Sequence, residues 1–137
     1  MSVETIWEED GVYQRYTESI TPEDCARGKT SVMGSENLDQ IQYWLVDASQ
    51  STEYLLGRVQ AVEAAGHDYG AKVINDNVLK AFVTTSPAHR KNIEIYMETL
   101  KLGESPWKVA IFDTVAEARA WINENRVEKR KRSRKVS

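Results

Sequence analysis

The chain has 137 residues, of which 41% are hydrophobic and 28% charged, with a formal net charge of −3. This size allows one domain whose core is large enough to fold without a disulfide or a metal. The single cysteine, Cys25, excludes a disulfide within the chain and is typical of a reducing compartment, so we expect a cytoplasmic protein. No stretch approaches the roughly 20 apolar residues of a membrane span. The acidic start, MSVETIWEED, is not that of a signal peptide.

The chain begins with a predicted β-hairpin. β-prone residues lie on both sides of an Asp10-Gly11 pair, and glycine tolerates the positive φ that a tight turn needs. A helix is predicted to follow from Thr21-Pro22, because threonine caps helices and proline suits the first helical position.

The run IQYWLV, residues 41–46, is apolar at nearly every position, which is typical of a strand covered on both faces. Residues 48–52 are polar and are predicted to form a loop. A helix follows, and apolar or small residues recur in it at spacings of three and four. This pattern predicts a core-facing side made of Val59, Val62, Gly66, Tyr69 and Val73.

The remainder of the chain alternates in the same way. LKAFVT, residues 79–84, and WKVAIF, residues 107–112, are predicted strands. The helix between them is predicted to bury His89, Ile93, Met97 and Leu100, and the last helix Val115, Ala118, Trp121 and Ile122. The order β-β-α-β-α-β-α-β-α predicts an α/β fold with a mixed sheet of four or five strands, an N-terminal hairpin plus parallel strands.

Four segments of this chain resemble SpoIIAA-like proteins of the STAS superfamily. They are IWEEDGVYQRYTESITPED, QYWLVDAS, KAFVTTSP and SPWKVAIFDTVAEARAWI. The resemblance implies a domain over residues 1–125 with about four helices packed mainly on one face of the sheet. More distant relatives of that fold include anti-sigma-factor antagonists and the CRAL-TRIO lipid-transfer domains.

The resemblance also implies a role in protein interaction, because STAS proteins act as switches in which a serine after the central strand is phosphorylated. The corresponding segment here is DASQSTEYLLG, residues 47–57, which lacks the Asp-Ser-Ser-Gly pattern of the antagonists. Ligands of open α/β sheets also collect at the carboxyl ends of the strands. We therefore take Asp47, Ser49, Ser51 and Thr52 as candidates for partner binding or a phospho-switch. The alternative is that they only cap and turn the chain.

No catalytic group, cofactor or metal site is predicted. His67 and His89 are the only histidines, and His89 is expected to pack on a helix face. With one cysteine, a zinc site would need carboxylates to complete it. Cys25 follows two acids, which oppose the ionisation of its thiol.

Residues 126–137 form a basic segment that is predicted to be flexible, with seven basic residues and one acid. Its cations are candidates for contacts with nucleic acid or anionic lipid, and the alternative is a solvated tail. The candidate contact residues are Lys129, Arg130, Lys131, Arg132, Arg134 and Lys135.

The sequence therefore favours a non-catalytic binding or regulatory module of STAS type that interacts with another protein. A homodimer is one form that such an interaction could take. The alternative is a carrier of a small apolar or lipid ligand in an internal pocket of a few hundred Å³. An enzyme is a third hypothesis, for which the sequence offers no catalytic constellation.

Overall fold

The structure, a computed structural model, describes the backbone of residues 3–136 and the side chains of residues 3–126. Within these residues the helices and strands follow the predicted order. The strands are β1 (Val3–Trp7), β2 (Gly11–Ile20), β3 (Tyr43–Tyr54), β4 (Leu79–Val83) and β5 (Lys108–Phe112). The helices are α1 (Pro22–Met33), α2 (Arg58–Ala71), α3 (Pro87–Leu102) and α4 (Val115–Val136).

The five strands form one mixed sheet in the order β1-β2-β3-β4-β5. β1 runs antiparallel to β2, and β2 to β5 are parallel to one another. The hairpin places Trp7 opposite Val12 across the short connection that contains Asp10. The predicted fold class, a hairpin joined to a parallel sheet, is therefore confirmed.

Three helices share one face of the sheet. Strand order advances in one direction, so right-handed crossovers place α1, α2 and α3 on the same side. Alternation along β3 agrees with this arrangement: Trp44 and Val46 belong to the core beneath α1. Tyr43 and Leu45 pack on the other face with Ala118 of α4. The helices thus lie mainly on one face, as expected.

The predicted loop at residues 48–52 is wrong, because β3 continues through it to Tyr54. β2 runs alongside as far as the pair Ile20–Tyr54, whereas β4 ends at the pair Val83–Asp47. The second half of β3 is therefore part of a two-stranded extension beyond β4. An apolar run marks only strand residues that are covered on both faces, so the polar extension was missed.

The predicted inner side of α2 is also wrong. Val59 is 62% exposed and Val73 85% exposed, and the remaining members of that side are exposed as well. The buried side consists of Ala61, Ala65, Asp68 and Ala71. Alanines let α2 approach α3 closely, so small residues occupy the interior and larger ones face outward.

The later helices agree more closely with the predictions. His89, Ile93 and Leu100 are buried in α3, where Tyr96 lies deeper than the predicted Met97. Buried Ala118 and Ile122 form the inner side of α4, with Val115 and Trp121 packed beside them. No helix among the described residues is long and apolar enough to cross a membrane.

Most of the basic segment 126–137 falls within the bounds of α4. The side chains of Lys129, Arg130, Lys131, Arg132, Arg134 and Lys135 lie outside the described residues. Their contacts with anions, and the flexibility of the segment, stay predictions.

Gly28 of α1, compared with Gly66 of α2 as the control, provides a test of the packing between α1 and the sheet. A Cβ at Gly28 would lie 2.3 Å from the hydroxyl of buried Tyr16, whereas a Cβ at Gly66 would meet nothing within 4 Å. We expect Gly28→Ala to lower the free energy of unfolding by about 1 to 3 kcal/mol through overpacking. Gly66→Ala should raise it by about 0.5 to 1 kcal/mol, because alanine favours helix. Urea unfolding of both variants measures the difference, and equal changes of the same sign would contradict the packing described.

Candidate functional site

A cavity of about 110 Å³ lies over the centre of the sheet, on the face that carries α1, α2 and α3. Its floor comes from β2, β3 and β4, and its walls from the three helices. Most of the lining is aromatic or aliphatic, and the largest contributors are Tyr16, Trp44, Tyr54, Phe82 and Tyr96. No Asp or Glu is among its lining residues.

A buried cluster of charged residues adjoins this cavity. Asp68 of α2 is fully buried, and Lys80 of β4 is 3% exposed. The Nζ of Lys80 donates to Oδ2 of Asp68 at 2.6 Å, and the Nζ of Lys29 in α1 donates to Oδ1 at 2.7 Å. The hydroxyl of Tyr96 in α3 donates to the same carboxylate. One carboxylate thus joins the central sheet to all three helices of this face.

The cluster has two lysines but only one acid, and burial together with these charges sets its protonation. Burial alone would raise the pKa of Asp68, but the charges of Lys80 and Lys29 lower it to about 2. For Lys80, burial lowers the pKa to about 7, since the attraction of Asp68 only partly offsets burial and Lys29 repels. The carboxylate is therefore firmly ionised, and Lys80 is poised to lose its proton near neutral pH.

The indole of Trp44 forms the apolar surface against which Lys80 lies. The Nζ of Lys80 is 3.9 Å from the centroid of that ring, within the range of a cation–π contact. The indole N–H donates to Oε1 of Gln14 at 2.8 Å, and Nε2 of Gln14 donates to the carbonyl of Gly28 at 2.6 Å. These bonds hold the ring in place from both β2 and α1.

Cys25 and His89 also line the cavity but do not form a reactive pair. Burial raises the pKa of the Cys25 thiol to about 11, so the nucleophilic thiolate is scarce at neutral pH. Burial lowers the pKa of His89 to about 4, and its ring packs on Tyr54 with centroids 4.1 Å apart. Within the described residues, no group of three or more His, Cys, Asp or Glu is placed to hold a metal.

A groove of about 540 Å³ lies between α1 and α2. It shares Cys25, Lys29, Gln60 and Ala64 with the lining of the cavity. Apolar side chains, including Met33, Leu38, Ala71 and Ile74, line the remainder of the groove together with a few polar ones. The cavity and the groove therefore adjoin at these shared residues, two of which, Lys29 and Ala64, are hydrogen-bonded to each other.

The residues predicted as a site lie on β3, away from this cavity. Asp47 is buried and accepts hydrogen bonds from the Tyr13 hydroxyl at 2.6 Å and from the Ser49 backbone N–H at 2.9 Å. Ser51 donates to the carbonyl of Tyr16 at 3.2 Å. Ser49 and Thr52 are exposed. None of these four residues lines the cavity, which lies on the face of the sheet and not beyond the strand ends.

The sequence reasoning missed Lys29, Asp68, Lys80 and Tyr96. A signal was present for one of them, because Lys80 interrupts an apolar run that predicts a fully covered strand. A lysine in such a strand needs a buried partner. The sequence signal for Asp68 was weaker, because the predicted inner side of α2 was the wrong one and did not include it.

A second surface feature is the exposed outer side of α2. Large apolar side chains stand on it in place of the usual polar ones. They are Val59, Val62 and Tyr69, and outside the helix Leu55, Val73, Ile74 and Leu102 are exposed as well. Contiguous exposed apolar residues mark interaction surfaces more often than single ones do.

Comparison of the chain with protein-family models, with curated proteins and with solved structures finds no match.

Lys80 should make stability depend on pH above neutrality. In the unfolded chain a lysine has a pKa of about 10.4, and in the folded protein that of Lys80 is about 7. The unfolded state therefore binds more protons between these values, and stability rises as pH increases. We expect a contribution of up to about 1.4 kcal/mol per pH unit between pH 7 and 9.

Urea unfolding of the wild type and of Lys80→Met across this range measures the effect, and the variant should lack the slope. Lys91→Met is the matched control, because Lys91 is exposed on α3. Parallel profiles for all three proteins would show that Lys80 keeps an ordinary protonation equilibrium.

Proposed function

We propose that the chain is a non-catalytic binding module that holds a small, largely apolar molecule in the cavity over its central strands. The observation that carries the proposal is a cavity of about 110 Å³, walled by aromatic rings, whose lining includes Lys29, Lys80 and Tyr96, the three residues that bond the adjoining Asp68. Apolar walls with a few polar groups that fix orientation are the usual composition of small-molecule sites.

The hydrogen bonding of the cluster assigns Asp68 to holding the two lysines. Asp68 accepts bonds from Lys29, Lys80 and Tyr96, so its oxygens are engaged. A general acid or base works best with a pKa near the working pH. Cys25 and His89, with pKa values of about 11 and about 4, do not meet this condition, whereas Lys80, at about 7, does. We assign Lys80 to binding because its ammonium group donates to the Asp68 carboxylate. The proposal includes a cytoplasmic setting, which the single cysteine favours.

The resemblance to SpoIIAA-like proteins of the STAS superfamily is part of the same proposal. The fold has the mixed sheet that this resemblance implies. The more distant likeness to CRAL-TRIO lipid-transfer domains agrees with a ligand held against the sheet. A volume of 110 Å³ is smaller than the few hundred Å³ expected from the sequence, so the ligand is small or extends into the adjoining groove.

Filling the cavity tests the proposal. Ala61 is buried in α2 and lines the cavity, so Ala61→Leu places three more carbon atoms there. We expect the wild type to bind short aliphatic alcohols, detected by saturation-transfer NMR, and Ala61→Leu to bind them at least tenfold more weakly. The control is Ala120→Leu at an exposed position of α4. Equal binding by Ala61→Leu and the control would count against the cavity as the site.

A second function, interaction with another protein, is favoured by the exposed outer side of α2. We propose this surface as the partner surface for the protein interaction, with a homodimer as one form. Leu55, in the connection from β3 to α2, is exposed, as are Ser49 and Thr52 of β3. Phosphorylation at Ser49, Ser51 or Thr52, in the strand that precedes α2, would add negative charge there.

The introduction of negative charge on this surface separates the second function from the first. We expect the double variant Val59→Glu/Val62→Glu to lose the partners, or the self-association, that the wild type shows in affinity capture and in sedimentation. It should keep alcohol binding, because neither residue lines the cavity. Ala116→Glu/Ala120→Glu on exposed positions of α4 is the control. Identical capture and sedimentation of all three proteins would remove this function.

A further inference from the structure

We propose that the ligand is an aliphatic carboxylate, whose carboxyl group binds Lys80 and Lys29 and whose chain extends towards the groove between α1 and α2. This inference rests on the proposed ligand-binding function and names the chemical class of the ligand. Its basis is the charge, the unused donors and the shape of the cavity.

The charges of the cluster do not balance. Lys29 and Lys80 share the single carboxylate of Asp68, so the three groups carry one surplus positive charge when all are ionised. Both lysines line the cavity, and no acid does. Uncompensated charge in a protein interior is unfavourable, so a monoanion in the cavity would complete the cluster.

The donors of the two ammonium groups lead to the same conclusion. An ammonium has three N–H donors. Among the side chains that the structure describes, Lys80 donates to Asp68, while Lys29 donates to Asp68 and to the carbonyl of Ala64 at 3.2 Å. With one more donor of Lys80 assigned to its contact with the Trp44 ring, each ammonium keeps one donor, which is enough for the two oxygens of one carboxylate.

The shape and polarity of the cavity favour an aliphatic chain behind that carboxylate. A cavity of roughly 150 Å³ accommodates benzene, so 110 Å³ has room for about four or five non-hydrogen atoms. A longer chain would continue past Ala64 into the groove, where Met33, Leu38 and Ile74 provide apolar contacts. A phosphate dianion fits less well, because one surplus charge matches a monoanion and no arginine lines the cavity.

The protonation of Lys80 gives the inference a pH signature. Lys80 is faced by Asp68 of α2, Lys29 and Cys25 of α1, and Tyr96 of α3, with the ring of Trp44 beneath it. Asp68 stays ionised above pH 4, and the Cys25 thiol stays protonated below about pH 10. Of Asp68, Cys25 and Lys80, it is Lys80 that changes charge near neutrality, so carboxylate affinity should fall as pH rises from 7 to 9.

The test is a calorimetric titration with propionate, octanoate and dodecanoate, each paired with the primary alcohol of equal length. At pH 6.5 we expect the wild type to bind each carboxylate at least tenfold more tightly than its alcohol, with a preference that shrinks towards pH 9. Lys80→Met and Lys29→Met should lose that preference but still bind the alcohols. The control Lys91→Met, at an exposed site, should behave as the wild type.

The outcomes separate this inference from the proposed function. Alcohols and carboxylates that bind the wild type equally well would overturn the carboxylate assignment and leave the cavity as a site for neutral molecules. If the wild type binds neither the alcohols nor the carboxylates, both the carboxylate assignment and the proposed ligand-binding function are wrong. The pH series needs only the wild type, so the inference stays testable if a lysine variant fails to fold. The chain-length series distinguishes a short acid confined to the cavity from a fatty acid that also occupies the groove.

Discussion

The carboxylate of Asp68 is the group on which this side of the molecule depends. It accepts hydrogen bonds from β4, α1 and α3 while itself belonging to α2, so four elements meet at two oxygen atoms. Removing one partner from a buried ion pair typically lowers stability by about 3 to 5 kcal/mol. Replacing the whole cluster by well-packed apolar residues is often neutral or stabilising. A contribution to stability is therefore a weak explanation for two lysines and an aspartate buried beneath three helices. Ligand binding in the adjoining cavity explains them better.

The same helix, α2, accounts for both the cavity and the exposed apolar surface. Its inner side carries alanines and Asp68, which are too small or too polar to fill the space over Trp44. Its outer side carries the valines and Tyr69 that a helix of this kind normally turns inward. Because small residues face inward and large apolar ones face outward, α2 leaves a cavity over the sheet and an exposed apolar surface on its other side. The two candidate sites therefore have one structural cause.

The order and type of the elements could be predicted from the sequence, because apolar runs such as residues 41–46 mark strands covered on both faces. The second half of β3 could not, since its polar residues are held by pairing with β2 rather than by burial. The cavity cluster could not be predicted either. Asp68 and Lys80 lie on consecutive elements, but Lys29 comes from the first crossover, 39 residues before Asp68. Their meeting depends on how α1 and α2 sit over the sheet. The sequence carried only one local trace of it, a lysine within an apolar strand.

The two proposed functions place different demands on α2, and together they explain its composition better than a structural role does. Ligand binding needs small residues such as Ala61 and Ala64 on the inside, because larger ones would occupy the cavity. Partner binding needs Val59 and Val62 on the outside, where each is exposed to water in the isolated chain. The fold itself explains Ala65, which lets α2 approach α3 closely. It does not explain half-buried Ala64, where a larger apolar residue would bury more area, or exposed Val59 and Val62, where polar residues would cost the fold little. The composition of α2 at these positions therefore favours function, whichever of the two sites is used.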